Sequence, residues 1–172
     1  MPQRPKGFVI NLAASPQRLD SAKAELDTAQ IEAVRVDAFD GREIDLAQFA
    51  PYDDRKARRF MGRSMTQGEV GCYVSHQRAA AAFLESGDEL GFVFEDDIAL
   101  EPTFRTVVPE LIEWLRPRTD WHCVNLGATR LKITSPMAKV AGVPLLRAHY
   151  FPMLAHALSW NRAGAEALLA AS

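Results

Sequence analysis

The chain has 172 residues, 48% hydrophobic and 24% charged, a composition that excludes a disordered, collagenous or membrane-spanning protein and suits one globular core. Its formal net charge of −2 provides no basic excess for a nucleic-acid backbone, so no nucleic-acid partner is expected. The only two cysteines, Cys72 and Cys123, have no partner at metal-ligand spacing, so neither a disulfide framework nor a zinc site is predicted and a reducing, cytoplasmic setting is favoured.

The first forty residues show a strand, a helix and a second strand. Phe8 to Leu12 is a short apolar run, typical of a strand buried on both faces. Ser15 followed by Pro16 is a helix-start signal, and apolar residues then recur at helical spacing. Ile31 to Ala38 alternates apolar and polar residues. This order predicts a βαβ unit with parallel strands.

Residues 42–65 are dense in charge and lack a lasting periodicity, so they predict a long loop with a short helix inside it. Asp53 and Asp54 are followed by a basic cluster, which consists of Arg55, Lys56, Arg58, Arg59 and Arg63. Such a cluster suits either a solvated face or contact with phosphate or an anionic membrane surface.

The middle of the chain predicts a helix and then a buried strand. Thr66 and Glu69 have capping-box spacing, and the helix that they open should end near Ser86-Gly87. Leu90 to Phe94 is a second apolar run, and it leads directly into Glu95-Asp96-Asp97. The three acids are therefore expected at the carboxyl end of a strand, where open α/β sheets bind ligands.

The rest of the chain is less regular. An amphipathic stripe from Phe104 to Leu115 predicts a helix closed by Pro117, and residues 121–126 predict a further strand. Residues 129–144 are expected to be a loop with short strand pieces, residues 155–160 a strand, and residues 161–171 a helix. The fold class predicted is α/β, with a mostly parallel sheet flanked by helices.

Three consecutive carboxylates oppose folding unless a cation or hydrogen-bond donors compensate them. Residues alternate along a strand, so Glu95 and Asp97 are expected to project together while Asp96 faces the other way. Mg²⁺ or Mn²⁺ accepts one or two carboxylates and takes its other ligands from water and phosphate oxygens. A solvated acidic loop start is the alternative interpretation of the same residues.

Four segments together resemble glycosyltransferase family 25, which includes bacterial lipooligosaccharide galactosyltransferases and collagen galactosyltransferases. They are listed here in chain order: residues 9–12 with Ser15 and Arg18, residues 65–72 running into Ser75-His76, residues 92–97, and residues 156–169. The second segment is the most characteristic, and the acidic run corresponds to the family's Asp-x-Asp metal motif. The resemblance spans nearly the whole chain and implies a GT-A-like, Rossmann-like nucleotide-sugar-binding core.

The resemblance also implies an activity, namely inverting, metal-dependent transfer of a sugar, galactose from UDP-galactose, to a glycan such as lipooligosaccharide. Asp97 and Glu95 are the expected ligands of Mn²⁺ or Mg²⁺. The donor is expected to contact Asn11, Arg18, Ser75, His76, Glu95 and Asp96. An inverting reaction needs a general base, for which Asp96 and His76 are the candidates. Residues 1–172 are expected to be one transferase domain without the family's usual C-terminal continuation.

Two other functions fit parts of the same pattern. A non-catalytic module that retains nucleotide-sugar binding or serves as an interaction partner is one, and a Mg²⁺-dependent phosphohydrolase is the other. The N-terminus lacks the apolar core of a signal peptide, and no run is long enough to cross a bilayer, so a cytoplasmic protein with peripheral contact to the inner face of the membrane is expected. An exposed apolar face at Ala165, Leu168 and Leu169 predicts a homo-oligomer.

Overall fold

The computed structural model describes residues 4–171, and it contains one five-stranded sheet, one two-stranded hairpin and five α-helices. The strands are β1 (Lys6–Asn11), β2 (Glu32–Asp37), β3 (Leu90–Glu95), β4 (Cys123–Asn125), β5 (Thr134–Val140), β6 (Val143–Ala148) and β7 (Ala157–Asn161). The helices are α1 (Pro16–Thr28), α2 (Asp54–Met61), α3 (Gln67–Glu85), α4 (Phe104–Leu115) and α5 (Arg162–Ala170), with a short 3₁₀ turn at Gly41–Glu43.

The five-stranded sheet has the order β2-β1-β3-β7-β4. β1 pairs in parallel with β2 and with β3, which confirms the predicted parallel unit at the start of the chain. β7 pairs antiparallel with β3 and with β4, so the sheet is mixed, and the prediction of a mostly parallel sheet holds only in part. The reversed strand arises because β7 follows the hairpin rather than a crossover helix.

Alternate residues of the central strands enter two apolar clusters, one on each face of the sheet. Phe8 and Ile10 pack towards α3 and α5, in a cluster that includes Phe83. Val9 packs towards α1 and α4, in a cluster that includes Phe92. Helices thus cover both faces, as the apolar runs predicted for strands buried on both sides.

Helices α2 and α3 lie where the local sequence signals predicted them. The side-chain oxygen of Thr66 accepts a hydrogen bond from the amide of Glu69, and the Glu69 carboxylate accepts one from the amide of Thr66, which completes the predicted capping box at the start of α3. The predicted short helix in the long loop is α2, capped by Asp53. The strand predicted over residues 121–126 is limited to Cys123–Asn125.

Two expectations for the last third of the chain are wrong. Residues 129–144 were expected to be a loop with short strand pieces, but most of them belong to a regular hairpin of β5 and β6, whose two-residue turn has positive φ at Ala141 (48°) and Gly142 (78°). A type I′ hairpin turn requires positive φ at both central residues. The usual sequence signal for this turn is Asn-Gly or Asp-Gly, so the Ala-Gly pair does not predict it. The apolar face of α5 is not exposed: Ala165 is fully buried, and Leu168 and Leu169 pack against the core.

Candidate functional site

The candidate site lies at the edge of the sheet where the parallel strands β1, β2 and β3 end. The register aligns Asn11 with Asp37 and Ile10 with Glu95, so the segments that follow these strands leave the sheet side by side. This is the edge at which open α/β sheets bind ligands. The acidic run is therefore where the sequence predicted it.

The acidic run divides at the end of β3. The strand stops at Glu95, and Asp96 and Asp97 lie in the following turn, so the alternation expected along the run does not extend past Glu95. One guanidinium nitrogen, Nη2 of Arg18, lies 2.6 Å from Oδ1 of Asp96 and 2.8 Å from Oδ2 of Asp97. Asp97 thus shares a partner with Asp96, in place of the expected projection with Glu95.

Asp96 is buried and is held from two directions. Its Oδ2 accepts a hydrogen bond of 2.7 Å from Nδ2 of Asn11, while its Oδ1 meets Arg18. Asn11 is itself 1% exposed, donates to the carbonyl of Ser15 and accepts a 3.2 Å bond from Nε of Arg35. These contacts use both the nitrogen and the oxygen of the Asn11 side-chain amide, so Asn11 positions Asp96.

Glu95 faces the helix α3. Its Oε1 lies 3.7 Å from Nε2 of His76 and 3.5 Å from Sγ of Cys72. His76 lowers the pKa of Glu95, and this effect outweighs the burial that would raise it. His76 is 7% exposed, and neither ring nitrogen has a hydrogen-bond partner among the described residues. The contact with Glu95 at 3.7 Å is too long for a hydrogen bond, so the hydrogen-bonding capacity of this buried imidazole is unused, which marks the pair as a place where a ligand can bind.

Cys72 is not a nucleophile in this arrangement. Burial, together with the negative charge of Glu95, raises the pKa of its thiol to about 12. The thiol is therefore neutral at physiological pH, and the thiolate is the reactive form of cysteine. Cys72 is exposed on the cleft wall and is not part of the core.

The floor of the site is a close contact between α3 and the segment after β2. The Phe39 amide donates a 2.8 Å hydrogen bond to Oγ of Ser75, which donates in turn to the carbonyl of Gly71. A Cβ on Gly71 would lie 2.8 Å from the amide nitrogen of Gly41, and a Cβ on Gly41 would lie 2.0 Å from the carbonyl oxygen of Gln67. Both glycines are required because two backbones meet here.

Sequence reasoning missed the segment after β2. Asp40 and Arg42 line the site, and two hydrogen bonds from Arg42, one from its side chain and one from its amide, lower the pKa of Asp40 to about 2. The only local signal in the sequence is the Asp40-Gly41 pair, which is typical of a turn. No periodicity marks these residues, and it is the contact between Gly41 and Gly71 that brings them beside α3.

These segments enclose an open cleft of about 270 Å³. Five of the predicted site residues line it: Arg18, Ser75, His76, Glu95 and Asp96. Asn11 lies behind the wall, bonded to Asp96, and Asp97 is joined to the cleft through Arg18. The structure thus brings the predicted residues together and adds Asp40 and Arg42 to them.

Comparison with known proteins decides the family. The model for "Glycosyltransferase family 25 (LPS biosynthesis protein)" matches residues 4–143, most of the chain. The chain belongs to glycosyltransferase family 25. This confirms the resemblance carried by the four sequence segments, and it is consistent with a GT-A-like fold for the mixed sheet and its flanking helices.

Relatives of this family 25 chain include one named as a galactosyltransferase and one named as probably inactive. It is 34% identical over 172 residues to "Probable inactive glycosyltransferase 25 family member 3" of Rattus norvegicus and 28% identical over 171 residues to "Procollagen galactosyltransferase 2" of Mus musculus. It is 31% identical over 173 residues to "Glycosyltransferase 25 family member" of Drosophila melanogaster. Each match covers 95% of this chain but only 29%, 27% and 27% of the respective relative.

Two features of the family 25 chain bear on its ligands and its setting. Arg18 places one positive charge between two carboxylates, so Asp96 and Asp97 each direct one oxygen atom to the same cation. Oxygen atoms are the ligands that Mg²⁺ and Mn²⁺ prefer. Within residues 4–171, no helix has both the length and the apolar character needed to cross a bilayer.

Proposed function

We propose that this chain forms the donor-binding part of a metal-dependent, inverting glycosyltransferase that moves galactose from UDP-galactose to a glycan. The observation that carries the proposal is the cleft at the sheet edge, where Arg18 joins the carboxylates of Asp96 and Asp97 beside His76 and Glu95. Family membership supports the reaction class, and the procollagen galactosyltransferase among the relatives supports galactose.

Asp97 is the proposed ligand of Mn²⁺ or Mg²⁺, because its side chain is 60% exposed and directed to the same position as Asp96. Glu95 was the second predicted ligand and stays a prediction. The contacts favour Asp96 as the partner instead, since Glu95 faces His76 and Cys72. A bound divalent ion would supply electrostatic stabilisation of the departing diphosphate.

Arg18 has a second role in this proposal. Its side chain is 49% exposed, so it can leave the carboxylates for a diphosphate once a metal neutralises them. Arg42 is a further guanidinium on the cleft wall. Guanidinium groups bind phosphate bidentately, which suits both residues to the donor's diphosphate.

The general base stays a prediction between Asp96 and His76. Both oxygens of Asp96 are already engaged, one by Asn11 and one by Arg18, which limits their access to an acceptor hydroxyl. Neither ring nitrogen of His76 has a hydrogen-bond partner among the described residues, and the Glu95 carboxylate lies 3.7 Å from Nε2. The geometry therefore favours His76.

A binding module without catalysis is the second candidate function. The relative from Rattus norvegicus is named as probably inactive, although it is 34% identical to this chain. Such a module would keep the cleft and bind nucleotide sugar without transferring it. Family membership disfavours the Mg²⁺-dependent phosphohydrolase.

The acceptor is proposed to be a glycan, including one carried on lipid, and α2 is the proposed surface for peripheral membrane contact. Arg58 and Arg63 are paired with Asp54 and Glu69, so only part of the basic cluster offers unpaired charge. Phe60 on the same helix is 88% exposed. An exposed aromatic residue beside basic residues suits the interface of an anionic membrane.

Calorimetric titration with UDP and UDP-galactose, with and without Mn²⁺, tests the donor site. We expect Mn²⁺-dependent binding, weakened at least about tenfold by Asp97→Asn, because one carboxylate ligand is lost. Asp120→Asn is the matched control, since Asp120 is 63% exposed and lies outside the cleft. Failure of the unaltered protein to bind either nucleotide would refute the proposal, and binding that ignores Mn²⁺ would refute the metal's role.

Donor turnover then separates the two candidate functions. Slow release of galactose from UDP-galactose without an acceptor is expected of a transferase, and this activity should fall with Asp97→Asn. Binding without any turnover, with or without a glycan acceptor, would favour the binding module. Cleavage of simple phosphate esters would favour a phosphohydrolase.

A further inference from the structure

The cleft wall contains a group of side chains that differs in chemistry from the carboxylate pair at Arg18. Cys72 Sγ, a ring nitrogen of His76 and a carboxylate oxygen of Glu95 all lie within 4.8 Å of one another. Cys72 and His76 are four residues apart on α3, and this spacing places them on the same face of the helix. Glu95 reaches them from the end of β3.

We propose that Cys72, His76 and Glu95 form a binding site for Zn²⁺ or a similar thiol-seeking divalent cation. Thiolate, imidazole and carboxylate are the three ligand types that zinc takes from proteins. Mg²⁺ and Mn²⁺ prefer oxygen ligands, whereas this group contains a sulfur ligand. It therefore favours a softer ion than the proposed donor-site metal. The site shares His76 and Glu95 with the proposed donor site, so a bound zinc ion and general-base catalysis by His76 exclude each other, and Zn²⁺ binding is measured separately from sugar transfer.

The distances suit tetrahedral coordination. Zinc bonds of about 2.0–2.3 Å place neighbouring ligands roughly 3.3–3.7 Å apart at tetrahedral angles. The Cys72 Sγ to Glu95 Oε1 distance is 3.5 Å, and the His76 Nε2 to Glu95 Oε1 distance is 3.7 Å. Two edges of the tetrahedron are therefore already in place.

The burial of His76 is an independent indication of a ligand. This side chain is more than nine-tenths buried, and both of its ring nitrogens lack a hydrogen-bond partner among the described residues. Buried polar groups are normally satisfied, and a metal bond to a ring nitrogen would satisfy this one. The thiol of Cys72 would lose its proton to solvent on binding.

The proposed site has three protein ligands and opens onto the cleft. Cys72 is accessible to solvent, and all three side chains line the cavity. Zinc sites with three protein ligands keep a fourth position for water or another small ligand. The sequence does not reveal this group, because Glu95 is distant in sequence and Cys72 with His76 alone matches no zinc motif.

Cobalt absorption tests the site on the unaltered protein. Co²⁺ titration of the full chain in excess Mg²⁺, which occupies oxygen-rich sites, should produce thiolate-to-cobalt charge-transfer absorption in the near ultraviolet, and Zn²⁺ should displace it with a stoichiometry of one. Absence of that absorption, or absence of Zn²⁺ binding by calorimetry, would overturn the proposal.

Paired cysteine variants assign the ligand. Cys72→Ser should abolish the charge-transfer absorption and weaken Zn²⁺ binding at least about tenfold. Cys123→Ser is the matched control, because Cys123 is the other free cysteine and lies outside this group. Glu95→Gln should weaken Zn²⁺ binding while keeping the absorption. Equal Zn²⁺ affinity in Cys72→Ser and Cys123→Ser, with both variants melting like the parent, would place zinc elsewhere and refute the site.

Discussion

Alanine at Gly71 and alanine at Gly68 are expected to change stability in opposite directions, although both glycines lie in the first turns of α3. A Cβ on Gly71 would lie 2.8 Å from the amide nitrogen of Gly41, 2.9 Å from its Cα and 3.0 Å from the carbonyl oxygen of Phe39. All three are backbone atoms, so no side-chain rotation relieves the contact. A Cβ on Gly68 would meet nothing within 4 Å.

The magnitudes follow from these contacts. Overpacking costs about 1–3 kcal/mol, and three backbone atoms place Gly71→Ala near the upper end. Alanine regains about 1 kcal/mol of helix propensity, which leaves a net loss of about 2 kcal/mol. For a chain of this size that corresponds to a melting temperature lower by roughly 4–8 °C. Gly68→Ala receives only the propensity gain, about 0.5–1 kcal/mol.

Urea denaturation followed by circular dichroism, together with thermal melting, measures both variants against the parent. Both glycines line the cleft, but only Gly71→Ala pushes α3 away from the segment after β2. Gly71→Ala should therefore weaken UDP binding, whereas Gly68→Ala should bind UDP as the parent does. Equal changes of stability in the two variants would refute the close backbone contact between α3 and the segment after β2.

Two further predictions concern a buried hydrogen bond behind the cleft wall and the capping box of α3. Asn11→Ala should lower the free energy of unfolding by about 2 kcal/mol in urea denaturation, because a buried hydrogen bond to the Asp96 carboxylate is lost, and a loss below about 0.5 kcal/mol would contradict its positioning role. The ion pair with Arg63 and the amide of Thr66 lower the pKa of Glu69 to about 2, so its charge stabilises the fold above the unfolded pKa near 4.5, and that contribution is lost as the pH falls towards 2. Glu69→Gln keeps a side chain that can complete the capping box but removes the charge. Its unfolding free energy should therefore be lower than that of the parent at neutral pH, and the difference should vanish near pH 2. A difference that does not change with pH would contradict the charge effect.

The sequence by itself determined the elements whose signals are local. The capping box at Thr66 and Glu69 fixed the start of α3, and the apolar run before Glu95 fixed β3 and placed the acidic run at a carboxyl strand end. Four short motifs were sufficient for the family. Each of these signals depends on neighbouring residues and on a regular period, which a single sequence displays directly.

The sequence contains only weak signals for the β5–β6 hairpin and for the direction of β7. Ala141 adopts a positive φ without the Asn or Asp that usually marks such a turn, so β5 and β6 were expected to be mostly loop. β7 comes after that hairpin in the chain and enters the sheet antiparallel to β3 and β4. Packing of the hairpin and sheet stabilises a turn conformation that local propensity alone would not predict.

Only the tertiary structure decided how the acidic run is divided. β3 ends at Glu95, so the next two carboxylates leave the strand's alternation and meet Arg18, which lies far away in sequence. Glu95 instead faces His76 because α3 packs on β3. Contacts between distant segments set these directions, since the orientation of a side chain beyond a strand end depends on the path of the chain and on the partner that compensates its charge.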